Sequence, residues 1–514
     1  MYSSYRKFEI LYPYLILILL AIDFYNIFYH LGNFPISSWD EARHGVSAYE
    51  MLKQKNLVVS TYRYKIDYWN LKPPFSFWAV MAGYKLAGFN ALGLRILSGI
   101  SSMLTIIMVA AFVNKSYGKL AAILSTLALS TSTQFIINHS ARTGDADALF
   151  VFLFTGSILS LLLSEQNDKW LYCSGIAFAF AFLTKSWHAG SIAIIIGLYV
   201  IITGKLKRLT KFNWILLISC MIIPILLWAV ARYQYDGFAF FRKMIVYDLL
   251  QRSSTPIEGH IGGKLYYVLV LIRFFGLWLA ILFGLAFLYT FKGLSTKILK
   301  SENKFYKLGI CLWIIILFLL FTFAKTKIRW YILPVYTPLS IIIGVLASNL
   351  LMMQGRLRKK IMLILSILFV SSYYYGQIHA YLHRPIPNLP LSLLQQVHGL
   401  DEVKGSSIFL YRPTNPLPWQ QNEVLTAELY GDLLVENGGL NDFLKKKRAL
   451  LLVQKGLEAK QLFETNQLEI LTSNKWGYIV RKREKDGITF EKNDKIRIED
   501  RTFERVTQSF LKNR

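Results

Sequence analysis

Runs of about twenty apolar residues recur from Ile10 to Leu382, each long enough to cross the hydrocarbon layer of a bilayer as a helix. No water is available there to satisfy backbone N–H and C=O groups, so only helices and closed barrels can span it. Continuous runs of this length specify helices. Roughly eleven can be counted, at about 10–31, 92–113, 119–138, 145–164, 169–185, 188–203, 211–231, 264–291, 305–324, 330–352 and 360–382. With 54% hydrophobic residues and a mean hydropathy of +0.38 over 514 residues, the chain reads as a polytopic α-helical membrane protein. Met1 to Glu9 is short and basic, and no small-residue cleavage site follows the first run, so that run is expected to stay as a helix rather than leave as a signal.

The formal charge of +27 would suit a nucleic-acid partner, but many of the cations lie in short loops beside apolar runs, where they orient the chain in the membrane. Nucleic acid is therefore not expected. With a cytoplasmic N-terminus the inside loops include Lys205–Lys211, Lys292–Lys304 and Arg356–Lys360, all rich in Lys and Arg. An odd number of spans then puts everything after about His383 outside. The same count puts the regions of Asp40, Asp147, Lys185 and Lys325 on that outer side. Cys173, Cys220 and Cys311 fall inside apolar runs with no metal or redox spacing, so neither a functional disulfide nor a cysteine metal site is expected.

From Pro385, with Pro387 and Pro390 in a linker, the composition becomes that of a soluble domain. Short strands are expected at Ile408–Tyr411, Ala449–Val453 and Trp476–Val480, and helices near Asn422–Val435 and Gly456–Thr465. The expected division is a transmembrane domain over 1–384 with a first outer loop at about 33–91, an outer α/β domain over 385–483, and a charged tail over 484–514.

The first outer loop mixes carboxylates and cations. Ser38 followed by Glu41 is a capping-box pattern, predicting a helix from Trp39 to about Lys53 whose first turn sets Asp40, Arg43 and His44 on one face. Lys72 precedes Pro73 and Pro74, which favour the start of a second helix over Phe75 to about Leu86. Free N–H groups at that start, beside an ammonium, would hold an anion such as phosphate. A solvated helix cap with a snorkelling lysine fits the spacing equally well.

Asp40-Glu41-Ala42-Arg43, then Lys72-Pro73-Pro74 before an aromatic apolar run, resembles the first extracytoplasmic loop of the C-type glycosyltransferases that use polyprenyl-phosphate sugars. Protein O-mannosyltransferases of glycosyltransferase family 39 and the aminoarabinose transferases that modify lipid A are the nearest in pattern. His139 to Phe150, Phe182 to Lys185 and Lys325 to Pro334 fit as well, so the resemblance runs from about 37 to 345. It implies a C-type transmembrane fold in a bacterial inner membrane, a polyprenyl (undecaprenyl) phosphate-linked sugar as donor, and transfer to an extracytoplasmic acceptor. Lipid A, a glycan and a protein hydroxyl all fit the same donor machinery.

The resemblance places the catalytic acid at Asp40, with Glu41 the neighbour most easily confused with it, and a second acidic position at Asp147, beside Asp145. A structural alternative makes Asp147 a helix N-terminal acid paired with Arg142. Arg43, Lys72, Lys185, Lys325, Lys327 and Arg329 are the candidates for holding the donor phosphate, and His44, Arg142, Asp145 and Tyr331 for further substrate contacts. For any one cation an interfacial anchor is the plain alternative. Leu71, preceded by Asn70, stands where some relatives carry an acid, which puts any metal held there in doubt. A divalent metal stays possible, with His44, His139 and His188 as available ligands but none at motif spacing. The rival functional class is a transporter or flippase of a lipid-linked anion, against which stand the clustering of the candidate residues at one interface and the absence of visible duplicated halves.

Overall fold

The structure, a computed structural model, describes residues 2–291, 304–353, 357–384, 389–398, 400–412, 418–456 and 459–483. The expected inside loop from Lys292, the start of the loop at Arg356, Pro385 and Pro387 of the linker, and the tail over 484–514 lie outside the described residues. The chain divides into two compact units. One is built from Met1–Leu31, Leu71–Ser76 and Arg95–Arg384, the other from Gly32–Asn70, Phe77–Leu94 and Pro385–Arg514.

The first unit is helical. Among the described residues eight helical runs are long and apolar enough to cross a membrane, and Lys169–Ile202 is one run made of two helices, Lys169–Lys185 and Gly190–Ile202. Two shorter apolar helices, Lys119–Ser130 and Asp147–Leu163, stand where two further spans were expected, and the run expected over 119–138 is broken after Ser130, with Thr133–Ile137 a separate short helix. The run expected at 330–352 begins as a tight turn over Arg329–Val335 and becomes an α-helix at Tyr336–Met352.

Polarity is distributed as lipid demands. On Lys211–Asp236 the side chains of Ile215, Ile222, Leu226 and Leu227 point outward, while hydroxyls lie between helices, as where Ser157 donates to the Ser174 carbonyl at 2.9 Å. Since lipid tails are as apolar as leucine, close backbone approach has to supply packing energy. Gly344 allows one such approach: a Cβ there would lie 2.5 Å from the Ser125 backbone nitrogen on Lys119–Ser130.

The second unit contains a five-stranded sheet in the order Leu434–Val435, Ser407–Tyr411, Ala449–Gln454, Gly477–Lys482, Leu468–Ser473. The first three strands are parallel and the last two antiparallel. Three of these were expected. The helix expected over 422–435 stops at Gly431, with Asp432 in the left-handed region at φ 50° closing it, and the chain then enters the edge strand.

The first loop belongs to this unit. Its helix Asp40–Lys53 packs along Gln421–Gly431 so closely at Gly45 that a Cβ would sit 2.6 Å from Leu425 Cδ2. Tyr49 and Lys53 both donate to the Asp432 carboxylate, at 2.6 and 3.0 Å, and the Arg63 guanidinium donates to the Val435 carbonyl at 2.8 Å. A two-residue hairpin, Thr61–Tyr62 against Lys65–Ile66, turns through Arg63 and Tyr64 at φ 56° and 58°. Such turns normally announce themselves by Asn-Gly or Asp-Gly. Here the buried Glu50 carboxylate stabilises the turn instead, accepting the Tyr64 N–H at 3.0 Å.

Candidate active site

In the first unit the site gathers where two apolar helices meet a loop. Asp145 ends the loop before Asp147–Leu163, and its Oδ1 accepts the Asp147 N–H at 2.9 Å, taking up one of the orphan donors of that helix start. Lys185 is the last residue of its helix. Ser186, in the left-handed region at φ 45°, ends that helix and turns the chain into the one that follows. The Lys185 ammonium is thereby set on the Asp147 carboxylate, to which it donates directly, with both side chains buried.

His139, itself at φ 65°, brings Nδ1 to 3.1 Å from Asp145 and 3.3 Å from Asp147. Its ring lies flat on Trp330, 3.8 Å between centroids. Burial, reinforced by the neighbouring Asp147 charge and opposed by His139, pushes the Asp145 carboxyl up to about 7. Arg142, the alternative ion-pair partner for Asp147, instead donates to the carbonyls of Asn26, Ile27 and Tyr29, so its role is to close the end of the first helix.

His139, Asp145 and Asp147 present one imidazole and two carboxylate donor atoms within 4.8 Å of one another. Oxygen and imidazole donors suit a divalent cation such as Mn²⁺ or Mg²⁺, so the set fits a metal, although Lys185 already compensates one Asp147 oxygen.

Tyr331 adjoins this cluster. The Lys185 ammonium lies 5.3 Å from its ring centroid, and His188 meets it edge-on at 4.4 Å. Its hydroxyl accepts from Arg252 at 3.4 Å. Sequence reasoning missed Arg252. It follows the wide π-helical turn Met244–Gln251, a form that recurs at functional sites, and its Nε lies 2.9 Å from Asp248, which also accepts from Ser186. The signal was present in Arg252-Ser253-Ser254-Thr255-Pro256, a polar stretch between apolar runs.

The cation segment after Phe323 is stitched to that stretch. The N–H groups of Lys325 and Thr326 donate to the carbonyls of Ser253 and Arg252. Lys325 and Arg329 are exposed, whereas Lys327 is buried and its ammonium donates to the Phe321 and Thr322 carbonyls that end the preceding helix. Lys72, half-buried, precedes Pro73-Pro74 and the helix Phe75–Ala87, as expected, and Phe75 packs on Phe180 at 4.7 Å, which ties the Lys-Pro-Pro turn to the helix ending in Lys185.

The second unit holds the other candidates. Its helix begins at Asp40, with Trp39 as the residue before it, and the expected capping box is altered: the Glu41 carboxylate accepts the Ser37 N–H at 2.7 Å, but no side chain caps the helix from Trp39. Glu41 is buried and Asp40 half-buried. Arg43 makes a two-bond pair with Asp67, at 2.9 and 2.8 Å, and stacks over Tyr62 and Trp69. His44 is buried against the Phe77 ring. Trp39 has φ 66° and ψ −120°, a conformation costing a bulky residue on the order of 1–3 kcal/mol, and such outliers concentrate at functional sites.

The family described as dolichyl-phosphate-mannose-protein mannosyltransferase matches residues 71–230. A protein of Aquifex aeolicus is 26% identical over 322 residues, 62% of this chain and 70% of its own length. The undecaprenyl phosphate-alpha-4-amino-4-deoxy-L-arabinose arabinosyl transferase of Edwardsiella ictaluri is 26% identical over 313 residues, 59% of this chain but only 54% of that enzyme. ArnT from Cupriavidus metallidurans, in its crystal structure bound to undecaprenyl phosphate, aligns with a TM-score of 0.66 at 16% identity, covering 90% of this chain and 97% of that one. By fold the chain is a polytopic helical membrane protein built like the C-type glycosyltransferase ArnT, and by sequence it is similar to the aminoarabinose transferases and the protein mannosyltransferases.

Proposed function

We propose that this chain transfers a sugar from undecaprenyl phosphate to an acceptor outside the cytoplasm, by a single displacement that inverts the anomeric carbon. The observation that carries the reading is the cluster of buried Asp145, Asp147 and Lys185 with half-buried His139 at the ends of apolar helices. Buried charge is expensive in a membrane protein and marks function. A nucleotide sugar is cytoplasmic, so an outer-face reaction needs a donor already carried across, which a lipid-linked sugar satisfies. The N-terminus is assigned to the cytoplasm on the Lys- and Arg-rich loops, which puts the sheet-containing unit outside.

Asp40 is assigned as general base. It takes the acceptor hydroxyl proton as the new C–O bond forms and the bond from the anomeric carbon to phosphate oxygen breaks, the electron pair leaving with polyprenyl phosphate. Glu41 is the weaker candidate because its carboxylate already holds the Ser37 N–H. The leaving phosphate needs no acid if cations absorb its charge. Lys72, Lys185, Lys325, Arg329 and Arg252 are the groups available in the first unit, with the Tyr331 hydroxyl as a neutral donor. Arg43 keeps the loop in shape through Asp67, Lys327 and Arg142 close helix ends, and His44 packs. Asp147, held by Lys185, orients the acceptor or the sugar.

Purified protein in detergent, given a panel of radiolabelled undecaprenyl-phosphate sugars and membrane extract as acceptor source, tests the reading through release of undecaprenyl phosphate. Release that falls about a hundredfold or more in Asp40→Asn and in Lys72→Ala supports it and identifies the sugar. A wild type that binds these lipids without cleaving any of them returns the chain to the transporter class.

A further inference from the structure

Trp39 is 61% exposed, although it is the residue immediately before the candidate base and sits in a backbone conformation that an indole rarely adopts. Its position is not slack. On one side the Ser37 N–H is held by Glu41 and the Ser38 hydroxyl donates to Gln421 at 2.7 Å. On the other, the Trp39 carbonyl accepts the Arg43 N–H at 2.8 Å as the helix begins. The turn is fixed from both ends, and what it fixes is an indole turned outward.

A second indole stands beside it. Trp69 is 6.2 Å away between centroids at an angle of 42°. Trp69 is itself secured: Asp67 accepts its backbone N–H at 2.9 Å, and Asp67 is gripped by Arg43, whose guanidinium stacks on the Trp69 ring at 4.6 Å. Packing for its own sake would bury these surfaces; here strain and polar bonds keep one of them open. Pinned aromatic faces beside a carboxylate are suited to a sugar ring. The C–H groups on one face of a pyranose carry partial positive charge and meet the negative face of an indole, leaving the ring hydroxyls turned toward polar groups.

We propose that Trp39, backed by Trp69, is a stacking platform for the sugar ring nearest the reacting bond, and so a positioning and specificity residue for this transferase. Trp39 and Asp40 are consecutive, with Cα atoms about 3.8 Å apart, so the platform and the candidate base share one helix start. The inference rests on the glycosyl-transfer reading above and adds to it which surface recognises the saccharide. The ring belongs to the donor or to a saccharide acceptor, and the two sources are separable.

Equilibrium binding of the full chain in detergent to undecaprenyl phosphate and to each undecaprenyl-phosphate sugar reads the donor. The KM for a panel of methyl glycosides as acceptors reads the other source. Wild type, Trp39→Ala and Trp39→Phe are compared, with Asp40→Asn as the control for chemistry. The expected result is a roughly 10- to 100-fold loss in Trp39→Ala, the scale for removing a central aromatic anchor. It should fall on sugar-bearing donor or on glycoside KM, leave bare undecaprenyl phosphate within about twofold, and be largely restored by Trp39→Phe.

Equal affinities of wild type and Trp39→Ala for every sugar, with normal glycoside KM, overturn the proposal. So does a parallel loss for bare undecaprenyl phosphate, or a loss seen only in bilayer vesicles, which makes Trp39 an interfacial anchor. If wild type turns over and Asp40→Asn does not while Trp39→Ala is unchanged, only this inference falls. If wild type neither prefers sugar-bearing lipid nor cleaves it, the transferase reading falls, and this inference with it.

Discussion

Lys185→Met tests whether the buried ion pair at the centre of the candidate site is a structural clamp, a catalytic group or both. Lys185 and Asp147 have side chains only 6% and 5% exposed, so the pair lies in the regime where desolvation of each charge is met by its partner. Removing the ammonium leaves the Asp147 carboxylate with His139 alone, at 3.3 Å. Deleting one partner of such a pair costs about 3–5 kcal/mol. For a helical unit of this size that is an apparent melting shift of roughly 5–15 °C. Asp147→Asn combined with Lys185→Met removes both charges and should recover most of that loss, because a neutral amide facing a thioether has no orphaned charge to desolvate.

Activity should not follow stability. The double variant is expected to melt near the wild type yet release undecaprenyl phosphate at least about a hundredfold more slowly, since the charges proposed to act on the substrate are gone. Thermal melting in detergent by intrinsic tryptophan fluorescence, with lipid-phosphate release on the same preparations, reads both. The reasoning is refuted if Lys185→Met melts within about 2 °C of the wild type, or if the double variant is as unstable as the single one.

Four further outcomes are expected. Glu50 and Glu428 form a buried, hydrogen-bonded carboxyl pair in the second unit, and burial pushes Glu50 from 4.5 up to about 7 and Glu428 well above its ordinary value. Because the folded form holds these protons more tightly than the unfolded one, the stability they contribute is fully present below about 4.5 and declines as pH rises through about 7. Glu428→Gln should shrink the drop in melting temperature between pH 5 and pH 8, and an unchanged drop rejects the shared-proton account. Gly344→Ala should destabilise by about 1–3 kcal/mol through overpacking against Ser125, read in the same melts. Arg252→Lys should weaken undecaprenyl phosphate binding if the guanidinium meets the phosphate, with normal affinity as the contrary result. Dialysis against EDTA separates the two uses of the His139 cluster: activity retained assigns an imidazole bridge between carboxylates, and activity lost but restored by Mn²⁺ or Mg²⁺ assigns a metal.

The helical architecture was legible because lipid leaves the backbone few options. A run from Tyr266 to Phe291 must be a helix whatever its neighbours are, and every expected run has an apolar helix among the described residues, though 119–138 is shortened to Lys119–Ser130. The parallel strands Ser407–Tyr411 and Ala449–Gln454 were legible for a similar reason, being short apolar runs between turn residues. What failed to show was set by distant partners. Arg63-Tyr64 carries no turn signature, and the hairpin depends on Glu50, fourteen residues upstream of Tyr64. The helix after Gln421 ends at Gly431 because the chain reverses at Asp432, which Tyr49 and Lys53 hold from the first loop.

The cations show most sharply what the sequence leaves open. Lys325, Lys327 and Arg329 share five residues and look equivalent, yet only Lys327 is buried, and its charge is spent on the carbonyls of Phe321 and Thr322. Arg43 and Lys185 each sit near a carboxylate in the motifs that carry the resemblance, but Arg43 forms its pair with the buried Asp67 of the second unit, where aromatic rings hold it in place. Lys185 forms its pair with Asp147 inside the helical unit. Arg142 stands five residues before Asp147 and bonds carbonyls of the first helix instead. A cation near an outer interface is therefore a phosphate candidate only after the backbone carbonyls within its reach have been counted. Lys327, expected at the donor phosphate, and Arg142, expected as a further substrate contact, already donate to carbonyls, whereas Arg252 faces Tyr331 and Asp248 and is the cation we propose to add to the candidates.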